Sequence, residues 1–349
     1  MMSRVLISLL LLATACGSKS LPSVVPPDAG MPVVDAGSLD AGSSDAGSVA
    51  GPIAIARSQI PSSIALTPTQ AVWGNQSDPS VLSAPVAGGG PITEITRGGA
   101  DVNAVLVAEG ATYWARNDGT LGGVAADGTK LPDVSGMQSP QAMLVVAGKL
   151  YVTDLSAGTV WVLPMPPAGA SPTAFATKLT GAVSLATDGL ALYVTTWGSD
   201  PPPNGGGAKH DGSVMKIGLA DGMVTRIASN LGRPTGLVVS SGALYFTAFD
   251  DNTISKLDPA TSQLTVILKD RAAPYALAAD AQRLWWTEQG LTTDNVGGVY
   301  SMPIAGGSVA TVAAERVQPV AIAVDDTRVY WAEVGNADVR EGGIWAALK

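Results

Sequence analysis

Three features of the sequence predict an all-β chain folded as a seven-bladed β-propeller. An aromatic or apolar pair returns at Val72, Tyr113, Tyr151, Tyr193, Tyr245, Trp285 and Tyr330, a mean period of 43 residues. Each period divides into four short runs punctuated by Gly, Pro, Asp or Asn, and no stretch reads as a long amphipathic helix. The last module, 318–349, holds only three runs, and GPIAIARSQ at 51–59 can supply its fourth strand. A fixed period in this range means stacked modules, and closing them into a ring removes the exposed edges that otherwise template aggregation. A 52-residue interval before Tyr245 hides an insertion, and module two lacks the Pro that opens most others, so six or eight blades are the competing counts.

Within a module the order is regular. An apolar run such as QAMLVV (141–146), TGLVVS (235–240) or VAIAVD (320–325) comes first. The aromatic strand follows, ending YVTD, YVTT, YFTA, WWTE or YWAE. A third strand is preceded by Gly in most modules, as in GTVWVLPM and GGVYSMPI, and the fourth alternates apolar and polar residues, as in MVTRIAS. Enrichment in Val, Thr and aromatics with period-two alternation marks these as antiparallel strands.

Residues 1–16, MMSRVLISLLLLATAC, join a basic Arg4 to a short apolar run and the only Cys of the chain. The run is too short to span a bilayer, which makes it an export signal. Ending on Cys16, it resembles a bacterial lipoprotein signal, although Ala13 stands where Leu is usual. The resemblance implies lipidation of Cys16, and Gly17 in place of Asp implies the outer membrane, periplasmic or surface-exposed. Residues 17–50 repeat Asp-Ala-Gly at Asp28, Asp35, Asp40 and Asp45 without apolar period, the composition of a flexible tether. Three segments follow: signal 1–16, tether 17–50, propeller 51–349.

Composition narrows the function. The net charge is −9 and 46% of residues are apolar, which fits a folded core and disfavours nucleic acid as a partner. One His and one Cys leave no histidine-rich metal site, no stapled scaffold and little room for a His-based triad. The Gly runs at 88–90 and 205–207 lack a following Lys and Ser/Thr, so they are turns and not phosphate loops.

Of 15 Tyr and Trp residues, ten fall in second strands and Trp161, Tyr300 and Trp345 in third strands, where they are expected to pack between blades. Trp197 and Tyr275 remain. Propeller geometry puts the loop between strands two and three on the same face as the start of strand one, which gathers Trp197, Tyr275, Thr235, Gln141, Asn103 and Ser62 around one rim. The acids closing second strands join them: Asp154, Asp250, Glu288 and Glu333. Each of these can be a strut accepting backbone N–H groups or part of a site. The longest loop, 198–212, carries His210 on the same face. Asp200, Asp211 and Asp294 offer oxygen ligands for calcium, but without an EF-hand spacing.

The strand pattern seen in RLWWTE, KLYVTD and RVYWAE, following a Pro-led inner strand that ends in Asp, resembles propellers of the YWTD, NHL and gluconolactonase-like superfamily. That fold hosts binding proteins and enzymes alike. The reading favoured here is a non-catalytic, lipid-anchored scaffold of the cell envelope. It would hold a protein, peptide or glycan on the rim through Trp197, Tyr275, His210, Asp250, Glu288 and Glu333, with no cofactor. The alternative is an enzyme of lactonase, hydrolase or lyase type. The resemblance then implies a channel Ca or Mg held by carboxylates and amides such as Asp250, Glu288, Glu333 and Asn103, or a lyase-like site resting on His210. Support of outer-membrane protein insertion is a third role, which the blade count and motifs do not match.

Overall fold

Strand β1 (Ile53–Arg57) pairs antiparallel with β28 (Gly343–Leu348), so the first strand completes the last sheet. In the computed structural model, residues 51–167, 169–199, 210–291, 296–335 and 342–349 are described. Signal, Cys16 and tether lie outside them, as do Asp200 and Asp294. Among the described residues every regular element is a strand.

Seven four-stranded antiparallel sheets follow one another. Blade 1 comprises β2 (Pro61–Leu66), β3 (Gln70–Asn75), β4 (Ser80–Pro85) and β5 (Thr93–Arg97). Blade 2 is β6 (Val102–Ala108), β7 (Ala111–Arg116), β8 (Leu121–Val124) and β9 (Lys130–Val134). Blade 3 is β10 (Pro140–Val146), β11 (Lys149–Asp154), β12 (Thr159–Pro164) and β13 (Thr173–Ala176). Blade 4 is β14 (Ala182–Thr187), β15 (Ala191–Thr196), β16 (Gly212–Gly218) and β17 (Val224–Leu231). Blade 5 is β18 (Pro234–Ser240), β19 (Ala243–Ala248), β20 (Thr253–Leu257) and β21 (Leu264–Leu268). Blade 6 is β22 (Pro274–Ala279), β23 (Arg283–Glu288), β24 (Val296–Pro303) and β25 (Ala310–Val317). Blade 7 is β26 (Pro319–Val324), β27 (Arg328–Glu333), β28 and, outermost, β1. First strands of neighbouring blades touch in a closed cycle, β26 meeting β2, which makes the chain a seven-bladed propeller.

The aromatic repeat has a geometric cause. Successive residues of a strand point to opposite faces. The first aromatic of each pair therefore packs toward the following blade and the second toward the preceding one. Tyr193, Tyr245, Trp285 and Tyr330 enter the cores shared with blades 5, 6, 7 and 1. Phe246, Trp286, Trp331, Trp73 and Trp114 enter the cores on the other side. Seven such apolar clusters fill the seven gaps between blades.

Two hydrogen-bond devices repeat with the sheets. On the lower face, carrying the turns from strand one to strand two, Asp188, Asp280 and Asp325 each accept backbone N–H groups two and three residues on. Their second oxygens accept from Tyr193 Oη, Trp285 Nε1 and Tyr330 Oη, five residues on. On the upper face the penultimate Thr of strand two satisfies an N–H that a bulge in strand one leaves unpaired: Thr153 for Ala142, Thr195 for Ser184, Thr247 for Gly236 and Thr287 for Ala276. Thr153, Thr195 and Thr247 also donate to a carbonyl of the next blade, Val183, Thr235 and Tyr275 respectively. This explains why second strands end YVTD, YVTT, YFTA and WWTE. The bulge at Gly236 brings its Cα so close to blade 6 that an added Cβ would lie 2.7 Å from Tyr275 O.

Candidate functional site

The upper face gathers the residues singled out by the sequence. Ser62, Asn103, Gln141 and Thr235 stand at the starts of first strands, but their polar groups are engaged in the scaffold. Ser62 donates to the Val102 carbonyl, Asn103 to Pro140 O, Gln141 to Ser139, and Thr235 to Tyr275 O. These are ties between or within inner strands, and Asn103 is an amide already committed to blade 3.

The second-strand acids follow one rule with a correction. Asp154, Glu288 and Glu333 end β11, β23 and β27 and are buried. Asp250 does not end its strand: β19 stops at Ala248, and Asp250 lies two residues on, in the turn to β20. Asp154 acts as a strut, accepting from the backbone of Gln138, Ser139 and Ala157 and from Trp161 Nε1. The other three hold arginines. Arg233 grips Asp250 with two bonds of 2.6 and 2.7 Å. Arg271 Nε lies 2.5 Å from Glu288 Oε1, which also accepts from Trp286 Nε1 at 2.7 Å. Arg316 pairs with both oxygens of Glu333. Burial pushes the Glu333 carboxyl above the usual carboxylate range, with Arg316 opposing.

These arginines were missed by the sequence analysis, although each stands 17 residues before its acid: 233 and 250, 271 and 288, 316 and 333. Only the fold shows that this separation spans the crossover from one blade to the end of strand two in the next. Three of the four expected rim acids therefore sit in charge-neutral pairs, and Asp154 is a strut. A divalent cation does not fit the three paired carboxylates, because each already faces a guanidinium. Among the described residues no three His, Cys, Asp or Glu side chains form a metal-sized group.

Two of the remaining candidates, His210 of blade 4 and Tyr275 of blade 6, meet the turn 249–251 of blade 5, whereas Trp197 is tied to Gly181 of its own blade. Tyr275, second in β22, is half-buried and meets Phe249 edge-on, with ring centres 6.1 Å apart and planes at 84°. Burial raises the Tyr275 phenol, and the charge on Arg233 partly opposes it. Arg233 covers the other neighbour, its guanidinium carbon 4.8 Å from the Phe249 ring centre. His210 Nδ1 lies 2.7 Å from Asp251 Oδ1, while Asp251 Oδ2 accepts from Gly232 N at 2.7 Å. Half of the His210 side chain is exposed. Trp197 directly follows β15; it is half-buried and its Nε1 is buried without a partner among the described residues. Asp211 accepts from Ser199 N and Oγ. Phe249 and Asp251 carry no repeat or motif signal, so only their place in the turn of blade 5 reveals them.

No family model and no curated protein matches the sequence. Solved structures do match in fold. A catalytically inactive histidine-to-alanine variant of virginiamycin B lyase from Staphylococcus aureus, with quinupristin, superposes with a TM-score of 0.68 at 15% identity, over 85% of this chain and 98% of that one. A streptogramin B lyase gives 0.66 at 16%, over 85% and 97%. A luciferin-regenerating enzyme gives 0.55 at 15%, over 71% and 91%. At these identities the likeness is one of propeller fold.

Proposed function

We propose that the chain is a non-catalytic binding propeller of the cell envelope, lipid-anchored through Cys16 at the outer membrane. Its upper face would hold a protein, peptide or glycan between blades 4 and 6. The observation that carries this reading is the pairing of Asp250, Glu288 and Glu333 with arginines. Groups neutralised in this way brace the ring and are not available as acids, bases or metal ligands. What remains on the face is a recognition surface: Trp197, Tyr275 and Phe249 as aromatic anchors, with Arg233, Asp250 and His210 around them.

The test is crosslinking on intact cells with the full-length protein, comparing wild type with Trp197→Ala and Tyr275→Ala. Loss of a crosslinked partner at unchanged thermal stability supports the surface. Unfolding of Trp197→Ala would assign that residue to the core, and capture unchanged in both variants would remove the site.

An enzyme of lyase or hydrolase type is the second reading, favoured by His210. Asp251 fixes the imidazole through Nδ1, so that Nε2 would be the nitrogen that exchanges a proton, the arrangement of an oriented base. Quinupristin, bound by one of the structural neighbours, is the first compound to try. Turnover abolished by His210→Ala would replace the scaffold reading.

A further inference from the structure

We propose that the upper face of blade 2 carries a carboxylate-binding site built on Arg116. The inference is independent of the surface assigned to blades 4–6. Strand β7 ends in Arg116, where blades 3, 6 and 7 place Asp154, Glu288 and Glu333. The residue 17 positions earlier, which is arginine in blades 6 and 7, is Gly99. A Cβ added to Gly99 would lie 3.0 Å from Arg116 Nε, and its φ of +85° further disfavours a side chain, so the guanidinium occupies the room beside it.

The guanidinium keeps the geometry of the paired blades. Its carbon is 5.4 Å from the Trp114 ring centre, against 5.6 Å for Arg271 on Trp286 and 5.8 Å for Arg316 on Trp331. The acid is missing. In blade 6 one oxygen of Glu288 accepts from both the indole and the guanidinium Nε. In blade 2 the corresponding donors, Trp114 Nε1 and Arg116 Nε, are both buried without a hydrogen-bond partner among the described residues. Arg116 is only 8% exposed. The acids next to it in sequence are occupied elsewhere: Asp101 accepts from Ser77 N and Asn117 Nδ2, and Asp118 from Thr120.

A buried guanidinium with an orphaned donor is costly, and an exogenous anion relieves that cost. The flat, forked donor array of arginine matches a carboxylate, the group that blades 6 and 7 provide internally. Blade 2 thus presents an arginine site completed by a ligand instead of by the chain.

The experiment uses the full-length protein with acetate as the probe, chloride replacing it at constant ionic strength and pH. Acetate is expected to raise the unfolding temperature with the logarithm of its concentration, and Arg116→Met to weaken this response by about tenfold or more. If Arg116→Met does not fold, Arg116→Lys assigns the Arg116 Nε–H resonance by its loss, and in the wild type that resonance shifts saturably with acetate. A resonance that does not move, or an equal response to chloride, overturns the proposal.

Discussion

Arg271 Nε meets Glu288 Oε1 at 2.5 Å, and that pair joins the crossover into blade 6 to the far end of its second strand. The side chain of Glu288 is 3% exposed and also holds the Ala272 N–H and the Trp286 indole. One carboxylate thus fixes a loop, a strand end and an inter-blade aromatic at once. Glu288→Gln leaves Arg271 without a counter-charge and is expected to cost about 3 kcal/mol in denaturant unfolding. Replacing both partners with apolar residues, Arg271→Met with Glu288→Leu, removes the uncompensated charge but orphans the Ala272 N–H and the Trp286 indole, so only part of the loss should be recovered.

Thr247 supports the inner ring in the same way without charge. Its hydroxyl serves Gly236 N, Tyr275 O and Thr235 Oγ1 in a fully buried position. Thr247→Val keeps the shape and orphans the Gly236 N–H, while Thr235 still donates to Tyr275 O. A loss of about 2 kcal/mol is expected, read by chemical denaturation, with Ser at the same position nearer to wild type.

Acid stability should depend on Asp280. Burial works against its ionisation, but bonds from Lys349, the Gln282 and Arg283 backbone and Trp285 outweigh it and hold the carboxyl at about 2. The folded value is below the unfolded one, so this contribution is complete above the unfolded value of about 4 and is lost as pH falls toward 2. Asp280→Asn should flatten the fall in unfolding temperature across that window. An unchanged acid limb would show that Asp280 does not control it.

Membrane attachment tests the anchor. Cys16→Ser is expected to move the protein from the membrane fraction to the soluble fraction, measured by fractionation after detergent-free lysis. Retention in the membrane fraction would remove the lipoprotein reading.

The seven blades, their strand order and the closing strand at 53–57 were legible in the sequence because each rests on a local period. An aromatic pair serves two neighbouring interfaces, and a Pro, Gly or Asp marks each turn. The acids at Asp154, Glu288 and Glu333 were legible as strand ends for the same reason, whereas Asp250 was misplaced because blade 5 ends its strand at Ala248 and turns two residues later. What those acids do was decided only by tertiary structure. Their partners come from across a blade boundary, and nothing in a local pattern distinguishes an arginine that reaches a buried carboxylate from one that faces water. The same is true of Arg116, unremarkable in the string ATYWARNDG until the ring sets it beside Gly99 and Trp114 with its Nε unpartnered among the described residues. Periodicity specifies the scaffold, since every blade must satisfy the same backbone and packing demands. Sites arise where one blade departs from the others, and a departure becomes chemistry only when its neighbours in space are known.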